Sequence, residues 1–90
     1  MVKPKVRPKK EFSESLLSYN ELILYNDEVN TFDFVIDTLI DVCDHDPLQA
    51  EQCTMIVHFK GKCAVHNGSF KELKPKFDEM SNRGLTVAIE

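Results

Sequence analysis

The sequence lacks the features that mark several specialised classes of protein. Its longest uninterrupted apolar run is only three or four residues, too short to span a membrane or to form the apolar part of a secretory signal. It contains no glycine-rich phosphate loop, no nucleophile elbow and no CxxC pair. These absences predict a protein without a membrane segment, and they leave no nucleophile or phosphate site on which an enzyme could be proposed.

The cysteines are few, odd in number and widely spaced. Three occur in 90 residues, and no two lie within nine positions of each other. Structural zinc sites use closely spaced pairs, and small disulfide-stabilised domains use even sets. Cys43 and Cys53 fall on the apolar sides of predicted helices, where a cysteine acts as a small buried hydrophobe. We therefore expect no metal, no cofactor and no disulfide framework, and we expect a reducing, cytoplasmic location.

Charge is divided unevenly along the chain. The net charge is −4, yet residues 1–10 contain five basic side chains and no acid. Residues 11–90 contain 6 basic and 15 acidic side chains, a surplus that repels nucleic acid and attracts cations. Pro4 and Pro8 break any helix near the start. The composition predicts a flexible basic N-terminal arm over residues 1–18 and one folded domain over residues 19–90.

The folded part has the pattern of an α+β domain. Short apolar or alternating runs predict strands over residues 21–25, 62–66 and 85–89. Apolar periodicity and capping residues predict three helices between them, with Asn30, Asp46 and Ser69 as N-caps. Gly61 is predicted to end the second helix, and Ser69 is predicted to form a capping box with Glu72. The order β-α-α-β-α-β predicts a compact two-layer domain in which a three-stranded sheet, antiparallel or mixed, packs against three helices.

Apolar spacing also predicts which face of each helix is buried. The first helix carries a single stripe, and the third carries another that continues across Pro75 to about Asn82. The second helix has a less regular pattern. Its predicted buried side consists of Leu48, Cys53, Ile56 and Val57.

Two groups of residues near helix ends could bind a ligand. Asp27 and Glu28 precede the first helix, so a favourable interaction with its dipole accounts for them less well than for acids inside the first turn. On the second helix, Thr54, Val57 and His58 share a face through i, i+3 and i+4 spacing. A lone helical histidine is more often structural than ligand-binding, so spacing alone leaves this site open.

Three motifs in correct order resemble the ClpS family of Clp protease adaptors. They lie at residues 24–28 (LYNDE), 34–39 (FVIDTL) and 57–62 (VHFKGK), and the resemblance extends from about residue 19 to residue 90. It implies the same β-α-α-β-α-β fold, preceded by a mobile arm, and an adaptor that is not an enzyme. Family members bind N-degron substrates, which begin with Leu, Phe, Tyr or Trp and a free α-amino group. They deliver these substrates to the N-terminal domain of a Clp/Hsp100-type AAA+ unfoldase.

The resemblance implies roles for particular residues. The family's ligands for the substrate α-amino group match Asn26, Asp27 and His58, with Glu28 and Asn30 as loop support. The wall of its hydrophobic pocket matches Phe32, Val35, Thr54, Val57 and Leu85. The third helix is shorter than in long members, and its candidate unfoldase contacts are Lys71, Glu72 and Lys76.

Some positions depart from the family pattern. Phe32 stands at the pocket mouth where many members have methionine. Thr54 stands where the family has a methionine that excludes β-branched side chains, so we expect partial tolerance of substrates that begin with Ile or Val.

We expect the chain to act as a monomer. An alternative is an interaction domain of the same fold, resembling the C-terminal domain of the ribosomal stalk protein, which uses a helix surface and has no use for amine ligands.

Overall fold

The computed structural model describes residues 19–90, and the predicted arm over residues 1–18 lies outside them. The elements are β1 (Asn20–Tyr25), α1 (Phe32–Cys43), α2 (Pro47–Lys60), β2 (Lys62–Gly68), α3 (Phe70–Asn82) and β3 (Thr86–Ile89). The predicted β-α-α-β-α-β order is therefore confirmed, and the strand bounds differ from the predicted ones by at most two residues. Within the described range, no helix has the length and apolar character needed to cross a membrane.

β1 is the central strand of the sheet, whose order is β2-β1-β3. Both pairings are antiparallel, which decides between the two sheet types that the sequence left open. Tyr25, the last residue of β1, pairs with Lys62 at the start of β2 and with Thr86 at the start of β3. The loop after β1, the end of α2 and the turn before β3 therefore meet at one end of the sheet.

One hydrophobic core joins the sheet to the helices. Leu22 and Leu24 alternate along β1 and are fully buried. They share the core with residues from all three helices, among them Leu39, Val57, Leu73 and Met80. Because burial of apolar area is the main favourable term in folding, this shared core fixes the helices against the sheet.

The N-cap of α1 differs from the predicted one. Thr31, not Asn30, caps the helix, because the Thr31 hydroxyl oxygen accepts the Phe34 N–H at 3.1 Å. The Asn30 side chain instead donates to the Asp27 carboxylate and to the Gly84 carbonyl oxygen. The prediction was wrong by one residue, because both residue types are good caps and spacing does not reveal the distant partner of Asn30.

α2 begins and ends where the sequence predicts, but its buried face was predicted only in part: Val57 is buried and Cys53 packs against the core, whereas the other two residues are exposed. Asp46 caps the helix by accepting the Gln49 N–H at 2.8 Å. Leu48 and Ile56, predicted to be buried, are 62% and 41% exposed. The buried positions are Ala50, Thr54 and Val57. Since apolar residues occur all around this helix, periodicity could not identify the inner face.

α3 starts with the predicted capping box and runs through Pro75 to Asn82. The Ser69 hydroxyl oxygen accepts the Glu72 N–H at 3.0 Å, and the Ser69 N–H donates to the Glu72 carboxylate at 3.1 Å. Leu73 and Met80 place the buried face of α3 on the core.

Loss of the capping box should be measurable as loss of stability. Ser69→Ala removes an acceptor for an N-terminal helix N–H group, and we expect it to lower the free energy of unfolding by about 1 kcal/mol. The matched control is Ser81→Ala, which alters an exposed serine of the same helix outside the box. We expect that control to change stability by less than about 0.5 kcal/mol. Urea unfolding measures both, and equal effects would show that the box contributes nothing.

Candidate functional site

A cavity of about 350 Å³ lies where the loop after β1, the start of α1, the end of α2 and the turn before β3 meet. Ten residues named from the sequence line it together: Asn26, Asp27, Glu28, Asn30, Phe32, Val35, Thr54, Val57, His58 and Leu85. Two further lining residues, Leu24 and Tyr25, were missed. Both belong to the first motif, residues 24–28, and they lie in the strand directly before the loop.

The floor of the cavity is apolar. Leu24, Thr54, Val57 and Leu85 are all buried, and they come from β1, α2 and the turn before β3. The Thr54 hydroxyl donates to the Ala50 carbonyl oxygen at 2.8 Å, one helical turn earlier. The hydroxyl hydrogen of Thr54 is thus already bonded within α2. A bulky apolar group can therefore lie against the floor without leaving that donor unpaired.

The Asp27 carboxylate organises the loop at the mouth of the cavity. Its Oδ1 accepts the backbone N–H groups of Val29 and Asn30, each at 2.9 Å, and its Oδ2 accepts the Asn30 side-chain amide at 2.9 Å. Burial raises the pKa of Asp27, but the hydrogen bonds from Asn30 and Val29 outweigh it and hold that pKa below its usual value. The group is therefore a stable anion at neutral pH.

Asn30 links the mouth of the cavity to its floor. Its amide nitrogen donates to Asp27 and also to the Gly84 carbonyl oxygen, at 3.0 Å. Gly84 has φ of 88°, a left-handed conformation that glycine adopts without strain, and it directly precedes Leu85. The predicted supporting role of Asn30 thus has a specific geometry, which connects two segments 54 residues apart.

Asn26 and His58 both line the cavity. The Asn26 N–H donates to the Gly61 carbonyl oxygen at 2.9 Å, so the loop is tied to the end of α2. The His58 ring stands edge-to-face against the rings of Phe32, at 5.6 Å between centroids, and Phe59, at 5.1 Å. Within residues 19–90 the ring nitrogens of His58 make no hydrogen bond, so they can meet a ligand or water.

The electrostatics of the mouth favour a cation. Asp27 and Glu28 both line the cavity, and Asp33 lies in the first turn of α1. The N-terminus of a helix carries partial positive charge, and these acids offset it. An anionic mouth above an apolar floor suits a ligand with a positive head and a bulky apolar group.

The predicted unfoldase contacts lie on α3, outside the lining of the cavity. Lys71 is exposed. Glu72 belongs to the capping box. Lys76 donates to the Val42 carbonyl oxygen at 3.1 Å and lies 3.7 Å from Asp44, so it stabilises the end of α1.

The three cysteines are free, and two of them are protected from ionisation by burial. Burial raises the pKa of Cys43 to about 11 and that of Cys53 to about 12, so both thiols stay protonated at neutral pH. His45 is buried, with its Nε2 at 2.6 Å from the Val65 carbonyl oxygen. Among residues 19–90, no three His, Cys, Asp or Glu side chains are grouped so that they could hold a metal ion.

Comparison with known proteins identifies the family. The family model described as ATP-dependent Clp protease adaptor protein ClpS matches residues 18–88, and the chain belongs to this family. The ATP-dependent Clp protease adapter protein ClpS of Hydrogenovibrio crunogenus is 32% identical over 74 residues, which cover 80% of this chain. The chain spans 64% of the length of that relative.

A solved structure supports the same fold. The structure of Agrobacterium tumefaciens ClpS2 bound to L-phenylalaninamide aligns with a TM-score of 0.69. Sequence identity is 20%, and the alignment covers 82% of this chain and 96% of the other. The β-α-α-β-α-β architecture is therefore that of a ClpS domain.

The role of Asp27 in the loop predicts a pH-dependent stability. Because folding lowers its pKa, the ionised carboxylate stabilises the folded state above the unfolded pKa of 3.8, and this contribution is lost as pH falls through the folded pKa. We expect Asp27→Asn to cost about 1 kcal/mol at pH 7 and progressively less towards pH 3.

Urea unfolding of the variant and of the wild type across this pH range measures the effect. Asp37→Asn, which alters an exposed acid of α1 outside the cavity, is the control and should change stability little at any pH. A penalty for Asp27→Asn that is the same at pH 7 and pH 3 would contradict the assigned hydrogen bonds.

Proposed function

We propose that this protein is an N-degron adaptor. Its cavity binds the first residue of a substrate through the free α-amino group and a bulky hydrophobic side chain, and the protein delivers that substrate to a Clp/Hsp100-type AAA+ unfoldase. The observation that carries the proposal is the combination of an anionic mouth and an apolar floor in one cavity. Membership of the ClpS family supports it, as does the ligand of the similar ClpS2, since phenylalaninamide has both chemical features.

An α-ammonium group fits the mouth because it offers three donors and no acceptor. A carboxylate has about four acceptor positions, and the loop uses three of those of Asp27, so one remains for the ligand. The Asn26 side-chain oxygen and a ring nitrogen of His58 provide further acceptors, directly or through water. Charge-assisted hydrogen bonds of this kind are stronger than neutral ones.

The floor selects the side chain of the first residue. Burial of a Leu or Phe side chain contributes roughly 1.5–3 kcal/mol, whereas a polar or charged side chain loses its hydration there. We expect substrates that begin with Leu, Phe, Tyr or Trp. A ribosomal-stalk-like interaction domain would have no use for such a cavity, so the structural observations favour the adaptor.

The remaining parts of the proposal concern delivery. The protein acts as a cytoplasmic monomer without enzymatic activity of its own, and it presents its substrate to the N-terminal domain of the unfoldase. Lys71, Glu72 and Lys76 on α3 are the candidate contacts to that domain. Of these, Lys71 is the one that has no structural role assigned above, so its side chain is the most readily available.

A peptide titration tests the central part of the proposal. Peptides that differ only at the first residue should bind when it is Phe or Leu and fail to bind when it is Ala, Asp or Lys. Acetylation of the Phe peptide should weaken binding by about 1.5–3 kcal/mol, or roughly ten- to a hundredfold, because it removes the charge that the mouth recognises. Fluorescence anisotropy with a C-terminal dye measures these affinities. Equal affinity for all first residues, or for free and acetylated Phe peptides, would refute the proposed site.

The floor residue Thr54 should set the tolerance for β-branched first residues. In the wild type we expect peptides that begin with Leu to bind less than about a hundredfold more tightly than those that begin with Ile. Moving one methyl group costs little binding free energy in a pocket with spare volume. Thr54→Met fills part of the floor and should increase that ratio. Gln49→Met, which alters an exposed residue of α2, is the control and should leave the ratio unchanged. A wild-type ratio well above a hundredfold would contradict the role given to Thr54.

A further inference from the structure

α2 has a second apolar face, which points away from the core. Its members recur at i, i+7, i+8 and i+11 and are all exposed: Leu48, Met55, Ile56 and Phe59. Phe59 is 72% exposed and Met55 42%. At 1.5 Å per residue this outer face of α2 is roughly 16 Å long. Met55, Ile56 and Phe59 cluster in the last two turns of the helix, and Leu48 lies two turns earlier, beyond the exposed Gln52. A cluster of exposed apolar residues of this kind typically marks a binding surface.

The outer face of α2 is continuous with the cavity. The rings of Phe32, His58 and Phe59 form a row of edge-to-face contacts, with centroid separations of 5.6 Å and 5.1 Å. Phe32 and His58 line the cavity, and Phe59 begins the outer face. A row of aromatic rings therefore connects the mouth of the cavity to the outer face of α2.

The geometry identifies the segment that can reach this surface. Two ring-to-ring steps of 5.6 Å and 5.1 Å correspond to about three residues of extended chain, at roughly 3.4 Å per residue. A peptide whose first residue occupies the cavity can thus bring its second to fourth side chains over Phe59 and Met55. A second copy of this chain is a poorer occupant, because residues 19–90 contain 6 basic and 13 acidic side chains and like net charges repel.

We infer that the outer face of α2 binds apolar side chains at the second to fourth positions of the substrate. This inference rests on the proposed function and extends it. The protein then recognises a short apolar N-terminal segment, with the first residue in the cavity and one of the next three against Phe59 and Met55.

The test uses the full chain and peptides of the form Phe-Ser-Ser-Ser, each followed by the same polar tail and dye. Leu replaces Ser at the second, third or fourth position. For at least one position we expect binding roughly five- to tenfold tighter than for the all-Ser peptide, as partial burial of a leucine predicts. Phe59→Ser should reduce that ratio to near one. Phe70→Ser, which alters an exposed phenylalanine of α3, should leave the ratio unchanged.

The possible outcomes separate this inference from the proposed function. Discrimination at the first residue together with a ratio near one in the wild type overturns the inference alone. Absence of first-residue discrimination overturns both. A gain from Leu that persists in acetylated peptides indicates nonspecific adhesion and also overturns the inference.

Two additional measurements would recognise other occupants of the outer face. A ratio near one, with a dimer that Phe59→Ser dissociates in light scattering, assigns the face to a second copy. A ratio near one that rises in the Leu16→Ser, Leu17→Ser double variant assigns it to the N-terminal arm of the chain. Either result overturns the inference.

Discussion

The carboxylate of Asp27 fixes the conformation of the loop at the mouth of the cavity. By accepting the Val29 and Asn30 N–H groups and the Asn30 side chain, it closes the loop after β1 into one conformation. Asn30 in turn bonds to Gly84, next to the floor residue Leu85. An anion fixed in this way supplies the charge of the mouth, and through Asn30 it also links the mouth of the cavity to its floor.

The sheet and α2 create the space that this loop covers. Tyr25 pairs with the first residues of β2 and β3, so three connecting segments converge beside the end of β1. The inner face of α2 carries the small residues Ala50 and Thr54, while its larger apolar residues lie on the outer face. This distribution differs from that of a simple amphipathic helix, whose outward face is polar. It leaves room for a ligand inside and offers an apolar surface outside.

Much of the fold could be predicted because local chemistry determines it. The Ser69 and Asp46 caps, the left-handed Gly61 and the alternating strands are decided by neighbouring residues, and they lie where the sequence places them. The inner face of α2 could be predicted only in part, because apolar residues surround that helix and only tertiary packing selects Thr54 over Ile56. The cap of α1 was misplaced for a related reason, since the partner of Asn30 is 54 residues away.

The candidate site was predictable in membership and less so in mechanism. The resemblance to the family motifs named ten residues that line one cavity. Without that resemblance, residue types and spacing indicated only an acidic loop and a histidine on a helix. The hydrogen bonds that Asp27 accepts are local to the loop, but the Asn30–Gly84 hydrogen bond and the Phe32–His58 ring contact join segments far apart in sequence. Such contacts carry no local signature.

The most direct measurement of the central claim is a titration with L-phenylalaninamide followed by backbone amide resonances. The account predicts chemical-shift changes at residues 26–30, at the last turn of α2 around Val57 and His58, and at Gly84 and Leu85. N-acetyl-phenylalaninamide at the same concentrations should leave these resonances nearly unchanged. Shifts centred elsewhere on the domain, or equal shifts with the acetylated compound, would contradict the account.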